Sequence, residues 1–286
     1  MNSTNSTGDG YAPFDLYSYN PALYPAYAFM SLFGILGIIH FIFMFPYRSA
    51  FPIPMIIGCG MEAVAYYFRS RSHNDVRKTM PFIIQNLLVL ASPPMLAATI
   101  YMSLRRIARA LKSQQLLLIG ARWLTKLFVL VDLVCFVTQV AGAIMSGSDD
   151  SSVASRGKTI LLAGLVLQCI SFGFFIACAA TLHGRINPAN IQLDWEKPFR
   201  WQPYIVGLYI VSVLFIGRNV VRIIEFQQGS DGVISSSETL FYVFDAGVMM
   251  SVVLVVLILH PGRLTSRIRH LEKADITESI PLREIQ

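Results

Sequence analysis

The sequence carries little charge for its length. Of its 286 residues, 14% are charged and 54% are hydrophobic, whereas about a quarter of the residues are charged in an average soluble domain. A soluble helical bundle would need a polar face on every helix, yet most of the long apolar segments in this chain are apolar all round. The shortage of charge therefore excludes an ordinary soluble domain and indicates a protein whose main solvent is lipid.

Ligand-spaced cysteine and histidine motifs are also missing. The four cysteines fall inside apolar segments without a CxxC pair, so they predict neither a disulfide framework nor a metal site. The sequence has no GxxxxGK[ST] loop for nucleotide phosphates and no HExxH motif for zinc. We therefore expect no cofactor, no metal, no direct coupling to ATP and no enzymatic activity.

The main feature that the sequence does have is a series of seven apolar runs, each of about 20 residues, which is the length that spans a bilayer as a helix. The first 20 residues lack a basic segment followed by an apolar one, so we expect the first run to act as the targeting signal. We predict an all-α, polytopic membrane protein with a tail over 1–22, a seven-helix domain over 23–260 and a second tail over 261–286. The predicted spans lie near 23–45, 51–68, 80–101, 123–145, 159–182, 203–224 and 239–260.

The distribution of basic residues predicts the orientation of these spans. If the N-terminus lies outside, fourteen of the 23 Lys and Arg residues fall on the cytoplasmic side, six on the outer side and three inside spans. Cytoplasmic loops are the ones enriched in Lys and Arg, so we predict an outer N-terminus and a cytoplasmic C-terminus. The Asn2 and Asn5 sequons agree with a translocated, glycosylated tail. The net charge of +6 then reflects topology and a bilayer partner, and we expect no nucleic-acid partner.

Polar side chains inside the predicted spans are the candidate functional residues. An ionised side chain near the bilayer centre costs at least about 2.5–3.5 kcal/mol, so each one needs a partner, water or a purpose. With odd spans running inward and even spans outward, most of these residues fall in the outer half of the membrane. We predict a polar cavity that binds a ligand, formed by Glu62, Gln85, Asn86, Asp132, Gln139, Gln168, Arg218, Arg222, Glu225 and Asp245.

The last four residues of this set have the clearest spacing in the sequence. Arg218, Arg222 and Glu225 share one helix face, and a short glycine-containing turn brings Asp245 next to them. One interpretation is an internal salt-bridge network that fixes helix packing, and the other is a site that receives a lipid head group.

Ser235-x-x-Glu238 predicts a capping box at the start of the seventh span. Pro93 and Pro94 remove helix hydrogen bonds in the third span and predict a kink or hinge there.

Several spaced motifs resemble the fungal RTA-like family of lipid-translocating exporters. They extend over about residues 20–262, that is, over every predicted span. The matching elements are Glu62-x3-Tyr66-x2-Arg69, Gln85-x8-Pro94-x2-Ala97-Ala98-x2-Tyr101, Trp123-x-Thr125-Lys126-x-Phe128-x3-Asp132-x6-Gln139-x2-Gly142, Gly164-x3-Gln168, Arg218-x3-Arg222-x2-Glu225-Phe226-x2-Gly229-x2-Gly232-x5-Glu238 and Tyr242-x2-Asp245.

The resemblance implies a fungal plasma-membrane protein that moves amphipathic lipids, such as sphingoid long-chain bases, and confers resistance to them. Some members of the family are linked to porphyrin handling, and a sterol-amine cargo is a further alternative. Three classes of function remain open at this point. The chain could be a transporter of a lipid or amphipathic amine, a seven-span lipid sensor, or a lipid enzyme, although the last would need a histidine cluster that the sequence lacks. The sequence does not name a protein partner.

Overall fold

The fold is described from a computed structural model, which covers residues 11–12, 16–17, 19–46, 51–111, 113–148, 150–186, 201–229, 232–260 and 262. The sequons at Asn2 and Asn5 and nearly all of the predicted second tail lie outside the described residues. Within these ranges the regular secondary structure is helical, apart from a single isolated bridge between Tyr11 and Lys78, and turns or irregular segments connect the helices. The long helices are α1 (Leu23–Met44), α2 (Ile53–Ser72), α3 (Thr79–Ala110), α4 (Ala121–Ser146), α5 (Ser151–Arg185) and α6 (Gln202–Gln228), followed by the short α7 (Val233–Ser236) and the long α8 (Glu238–Ile258).

Six of the described helices are long and apolar enough to cross a membrane, namely α1, α3, α4, α5, α6 and α8. Helix α2 is less apolar because Glu62, Arg69 and Arg71 interrupt it. The chain is therefore an integral, multi-pass membrane protein.

Two helices are longer than the apolar runs from which they were predicted. The third run was expected to end near residue 101, but α3 continues to Ala110, and α5 begins at Ser151 rather than near residue 159. Asp150 caps α5 by accepting a hydrogen bond from the backbone N–H of Ser152 at 2.8 Å. Apolarity marks only the part of a helix that lies in hydrocarbon, whereas polar capping residues set where the helix begins and ends.

Helix α3 lies at the centre of the bundle. It packs against α2, α4, α5, α6 and α8, while α8 also contacts α1 and so closes the ring of helices. Aromatic side chains fill much of the interior, including the stacked pair Phe172 and Phe215, whose ring centroids are 4.6 Å apart. The N-terminal segment lies along the turn between α2 and α3, where Ala12 N–H donates to the Arg77 carbonyl at 2.9 Å. We call this side of the bundle its N-terminal end.

Helices α4 and α5 pack closely through glycine. A Cβ built on Gly142 would lie 2.5 Å from the backbone nitrogen of Leu161 and 2.7 Å from the carbonyl oxygen of Gly157. Small residues of this kind let two helix backbones approach each other in a membrane, where dispersion forces rather than the hydrophobic effect hold helices together.

We expect Gly142→Ala to destabilise the protein by about 1–3 kcal/mol, because the added methyl group meets backbone atoms that cannot move aside. Gly173→Ala on α5 is the matched control, since a Cβ at Gly173 has no atom within 4 Å. The control should be neutral or stabilising by up to ~1 kcal/mol through its higher helix propensity. Thermal unfolding of both variants in detergent measures the difference, and equal unfolding temperatures would contradict the packing argument.

Helix α8 contains one wide turn. Residues Tyr242–Gly247 form a π-helical segment between two α-helical stretches. Such π turns are rare and are frequently found at functional sites. The segment carries Asp245, one of the predicted site residues, and places its side chain in the bundle interior.

Candidate functional site

Four of the predicted site residues meet at the N-terminal end of the bundle interior. Oδ1 of Asp245 accepts hydrogen bonds from Nε of Arg218 at 2.7 Å and from Nη2 of Arg222 at 3.1 Å. Nη1 of Arg222 also donates to Oε2 of Glu225 at 3.0 Å. Together with Glu62, these residues form what we call the central charge group, with three acids and two bases. A small cavity with room for about one water molecule adjoins it.

Helix α3 contributes to this group through its prolines. Pro93 has no N–H, so the carbonyl of Val89, four residues earlier, loses its partner within the helix. Nη2 of Arg218 donates to that carbonyl at 3.0 Å. The carbonyl that Pro93 leaves without a helical partner therefore has a structural use. Helix α3 continues through both prolines, and Arg218 on α6 joins it to α8. Movement about Pro93 and Pro94 stays a prediction.

Glu62 has an unmatched acceptor. It is completely buried on α2, and Oε1 accepts a hydrogen bond from the Ser92 hydroxyl. Three buried atoms, Oε2 of Glu62, Oη of Tyr66 and Oδ2 of Asp245, have no hydrogen-bond partner among the described residues. A buried polar atom left unpaired costs about 1–3 kcal/mol, and more if it is charged. Such atoms in a native fold call for an explanation.

A second charged site lies beside the central charge group, around Arg69. Its guanidinium donates to Glu238 at 3.1 Å, to the Tyr242 hydroxyl at 3.0 Å and to the Tyr19 hydroxyl at 2.9 Å. It also lies over the ring of Phe241, with 4.3 Å from the guanidinium carbon to the ring centroid. We call these five residues the Arg69 box. Arg69 joins α2 to the start of α8 and to the segment before α1.

The predicted capping box at Ser235 and Glu238 is wrong. The Ser235 hydroxyl donates to the Gly229 carbonyl, and Ser237, the residue before α8, makes no side-chain cap. Glu238 instead uses Oε1 to accept the backbone N–H of Ala22 at 2.8 Å, at the start of α1. Glu238 therefore binds both a buried arginine on α2 and the N-terminus of α1. Local sequence spacing cannot reveal these partners, because both lie on other helices.

The N-terminal segment covers one more predicted residue. The Tyr17 hydroxyl donates to Oε1 of Gln85 at 2.6 Å and lies 3.3 Å from the Ser72 hydroxyl. Burial raises the pKa of the Tyr17 phenol above its ordinary value, although the hydrogen bond with Ser72 and the charge of Arg69 act in the opposite direction. The phenol therefore stays protonated and keeps donating to Gln85 at neutral pH.

The remaining predicted residues lie apart from the central charge group. Asp132 accepts a hydrogen bond from the Tyr101 hydroxyl at 2.7 Å between α4 and α3, and Gln139 donates to Gln168 at 3.0 Å between α4 and α5. Asn86 is exposed, because a helix turns by about 100° per residue and its neighbour Gln85 points inward. Lys126, which the sequence places inside the fourth predicted span, is also exposed and lies over the Trp123 ring.

Among the residues that the structure brings to this region and the sequence prediction missed are Arg69, Ser92, Glu238 and Tyr242. Arg69 was counted as a loop charge, although it is only 1% exposed. The signal that could have found it is the spacing of Glu62, Tyr66 and Arg69, which places all three on one face of a helix.

A groove runs along the surface between α1 and α8. Its volume is about 600 Å³, which is within the ~300–1,000 Å³ of small-molecule sites. Its lining is mostly apolar, with a few polar groups. The lining residues are Pro25, Phe29, Thr239, Tyr242, Val243, Gly247, Val248, Met250 and Ser251. Tyr242 belongs both to this groove and to the Arg69 box, so the two adjoin each other.

These features define a multi-pass helical membrane protein with paired charges in its interior and a groove between two helices on its surface. The chain belongs to the RTA1-like protein family, whose sequence profile matches residues 55–268. The expected resemblance is therefore confirmed.

Relatives in Saccharomyces cerevisiae show how far the similarity extends. The chain is 31% identical to Protein RTA1 over 87% of this chain and 85% of that protein. It is 39% identical to Protoporphyrin uptake protein 1 over 71% of this chain and 66% of that protein. It is 24% identical to the Sphingoid long-chain base transporter RSB1 over 81% of this chain and 69% of that protein. No solved structure matches the chain.

Proposed function

We propose that this protein is a seven-span transporter in the plasma membrane that moves single-chain amphipathic lipids, such as sphingoid long-chain bases, and protects cells from them. In this proposal α2 also crosses the membrane, which brings the number of spans to seven. The N-terminus lies outside, and the protein does not convert its cargo chemically. Support for α2 comes from its 20 residues, which extend about 30 Å as a helix, and from the burial of Glu62 and Arg69 inside the bundle. The excess of Lys and Arg on one side supports the orientation.

The observation that carries the proposal is the set of unmatched acceptors in the bundle interior. Oε2 of Glu62 and Oδ2 of Asp245 are buried oxygens without a partner among the described residues. The central charge group has three acids for two bases, so it is suited to accept one more positive charge. In the proposed cycle, that charge is the ammonium group of the lipid or a proton that moves in exchange for it.

Reconstituted protein tests the proposal directly. We expect purified wild-type protein in proteoliposomes to move a fluorescent sphingoid base between leaflets faster than empty liposomes do. We expect Glu62→Gln to slow this movement by about tenfold, equivalent to ~1.4 kcal/mol, because the amide cannot hold the extra positive charge. The substitution keeps the shape of the side chain and breaks no ion pair among the described contacts.

Thr99→Val is the matched control. The Thr99 side chain is fully buried on α3, and its hydroxyl has no hydrogen-bond partner in the described part of the chain. The control should move the lipid at the wild-type rate. If both variants slow movement equally, the defect reflects disturbed packing and the proposed role of Glu62 is wrong.

A porphyrin is the second candidate cargo, because the relative with 39% identity is named for protoporphyrin uptake. The same proteoliposomes loaded with protoporphyrin distinguish the two. Movement of protoporphyrin but not of the sphingoid base would replace the proposed cargo. If the purified protein binds the base without moving it, and cells still need the protein for resistance, the protein is a sensor. Neither binding nor movement would overturn the proposal.

A further inference from the structure

The groove between α1 and α8 adjoins the Arg69 box, because Tyr242 belongs to both and the lining residue Thr239 follows Glu238 in the chain. We infer that this groove is the binding site for one alkyl chain of an amino-alcohol lipid, whose ammonium group lies against Glu238 at its end. The inference rests on the proposed function and adds to it the place and orientation of the lipid. Three features support it, namely the length of the groove, the accessible charge at its end, and the aromatic rings, hydroxyl groups and wide helical turn along it.

The length of the groove suits a single chain. Its lining on α8 runs from Thr239 to Ser251, which corresponds to roughly 18 Å at 1.5 Å per residue. Half of the hydrocarbon core of a bilayer is about 15 Å thick. A chain lying along α8 would therefore occupy about one leaflet, with its head group at the N-terminal end of the bundle.

The charge that a ligand can reach at this end is negative. In the ion pair between Arg69 and Glu238, the side chain of Arg69 is 1% exposed, whereas that of Glu238 is 21% exposed. Among the described residues, both contacts of Glu238 use Oε1. Its Oε2 is therefore available to accept a hydrogen bond from a ligand. A cationic head group can pair with this oxygen, while an anionic one would have to displace Glu238 from a sealed arginine.

Aromatic and hydroxyl groups complete a site for an amino alcohol. Phe29 and Tyr242 stack in the groove with ring centroids 5.4 Å apart, and ring faces attract cations. The hydroxyl groups of Thr239 and Tyr242 supply hydrogen-bonding groups beside Glu238. The π turn lies along the groove and ends at Gly247, where the lining residue has no side chain.

A photoactivatable, alkyne-tagged sphingoid base, incubated with the full chain in phosphatidylcholine nanodiscs, tests the inference. We expect crosslinks to α1 and α8 at residues that line the groove. Val243 lines the groove and is 53% exposed, so Val243→Trp fills the groove without altering the core. Labelling at these residues should fall by about tenfold.

Val213→Trp on α6 is the matched control, because Val213 is 60% exposed and lies outside the groove. Its labelling should equal that of the wild type. An N-acetylated, uncharged version of the base should label the wild-type groove more weakly, since it cannot pair with Glu238. Equal labelling by both compounds would overturn the assignment of the head group.

Competition separates a specific site from a general lipid seam. If excess diacyl phosphatidylcholine removes the crosslinks as well as untagged base does, the groove holds bulk lipid and the inference is wrong. If the base crosslinks to other residues and Val243→Trp moves lipid normally, the groove is not the binding site, but the proposed function still holds. Absence of any binding or movement by the wild type would overturn both.

Discussion

Asp245→Asn is expected to destabilise the folded protein by about 3–5 kcal/mol, the cost of leaving a buried charge without its partner. Asp245 is the common acceptor for two buried arginines, at 2.7 Å from Arg218 and 3.1 Å from Arg222. The amide removes the negative charge while keeping the size of the side chain. Arg222 retains Glu225 as a charged partner, whereas Arg218 is left with neutral acceptors only, the amide oxygen at position 245 and the Val89 carbonyl. Thermal unfolding of purified protein, followed by loss of helical circular dichroism, measures the change.

A double-mutant cycle assigns this cost to the pair. Arg218→Gln alone should cost less than Asp245→Asn, because Asp245 keeps Arg222 as a charged partner. The double variant should lose less than the sum of the two, with a coupling of about 0.5–3 kcal/mol. Glu225→Gln is the comparison, since the Glu225 side chain is 21% exposed and Arg222 keeps Asp245 as a partner. Its loss of stability should therefore be smaller than that of Asp245→Asn. Additive effects would mean that Arg218 and Asp245 do not stabilise each other.

Arg69→Met is the second substitution with a large expected effect. It removes the cation that joins α2 to Glu238, Tyr242 and Tyr19 and leaves Glu238 with the Ala22 N–H as its described partner. We expect a loss of about 3–5 kcal/mol, as for other broken buried pairs. Because Tyr19 precedes α1, the start of α1 should also exchange its backbone hydrogens faster, which hydrogen–deuterium exchange can detect.

Arg71→Met provides a close control for this result. Arg71 lies two residues further along the same helix, but its side chain is exposed. Surface substitutions of this kind usually change stability by no more than about 0.5 kcal/mol. If the two variants unfold at the same temperature, the contacts of Arg69 contribute nothing to stability and the Arg69 box is not a structural element.

The helices were largely predictable because the bilayer requires long apolar runs, and that requirement is local in sequence. Pairing was less predictable. Arg222 and Glu225 are three residues apart on one helix, so their contact followed from helical spacing. Glu238 was assigned to a local cap because its two real partners, Arg69 and Ala22, are distant in sequence. The apolar pattern of the third span also did not show that Asn86 faces away from the interior, whereas Gln85 faces into it.

The sequence by itself determined that this protein is helical and embedded in lipid, because composition and run length decide those properties. It also indicated that charges inside the spans need partners, since buried charge in a membrane is costly. Only the tertiary structure decided the partners, and it divided the predicted cavity into a central charge group, the Arg69 box and separate pairs at Tyr17–Gln85, Tyr101–Asp132 and Gln139–Gln168. The physical reason is that hydrogen bonds and ion pairs depend on distances of about 3 Å, and helix packing sets those distances between residues far apart in the chain.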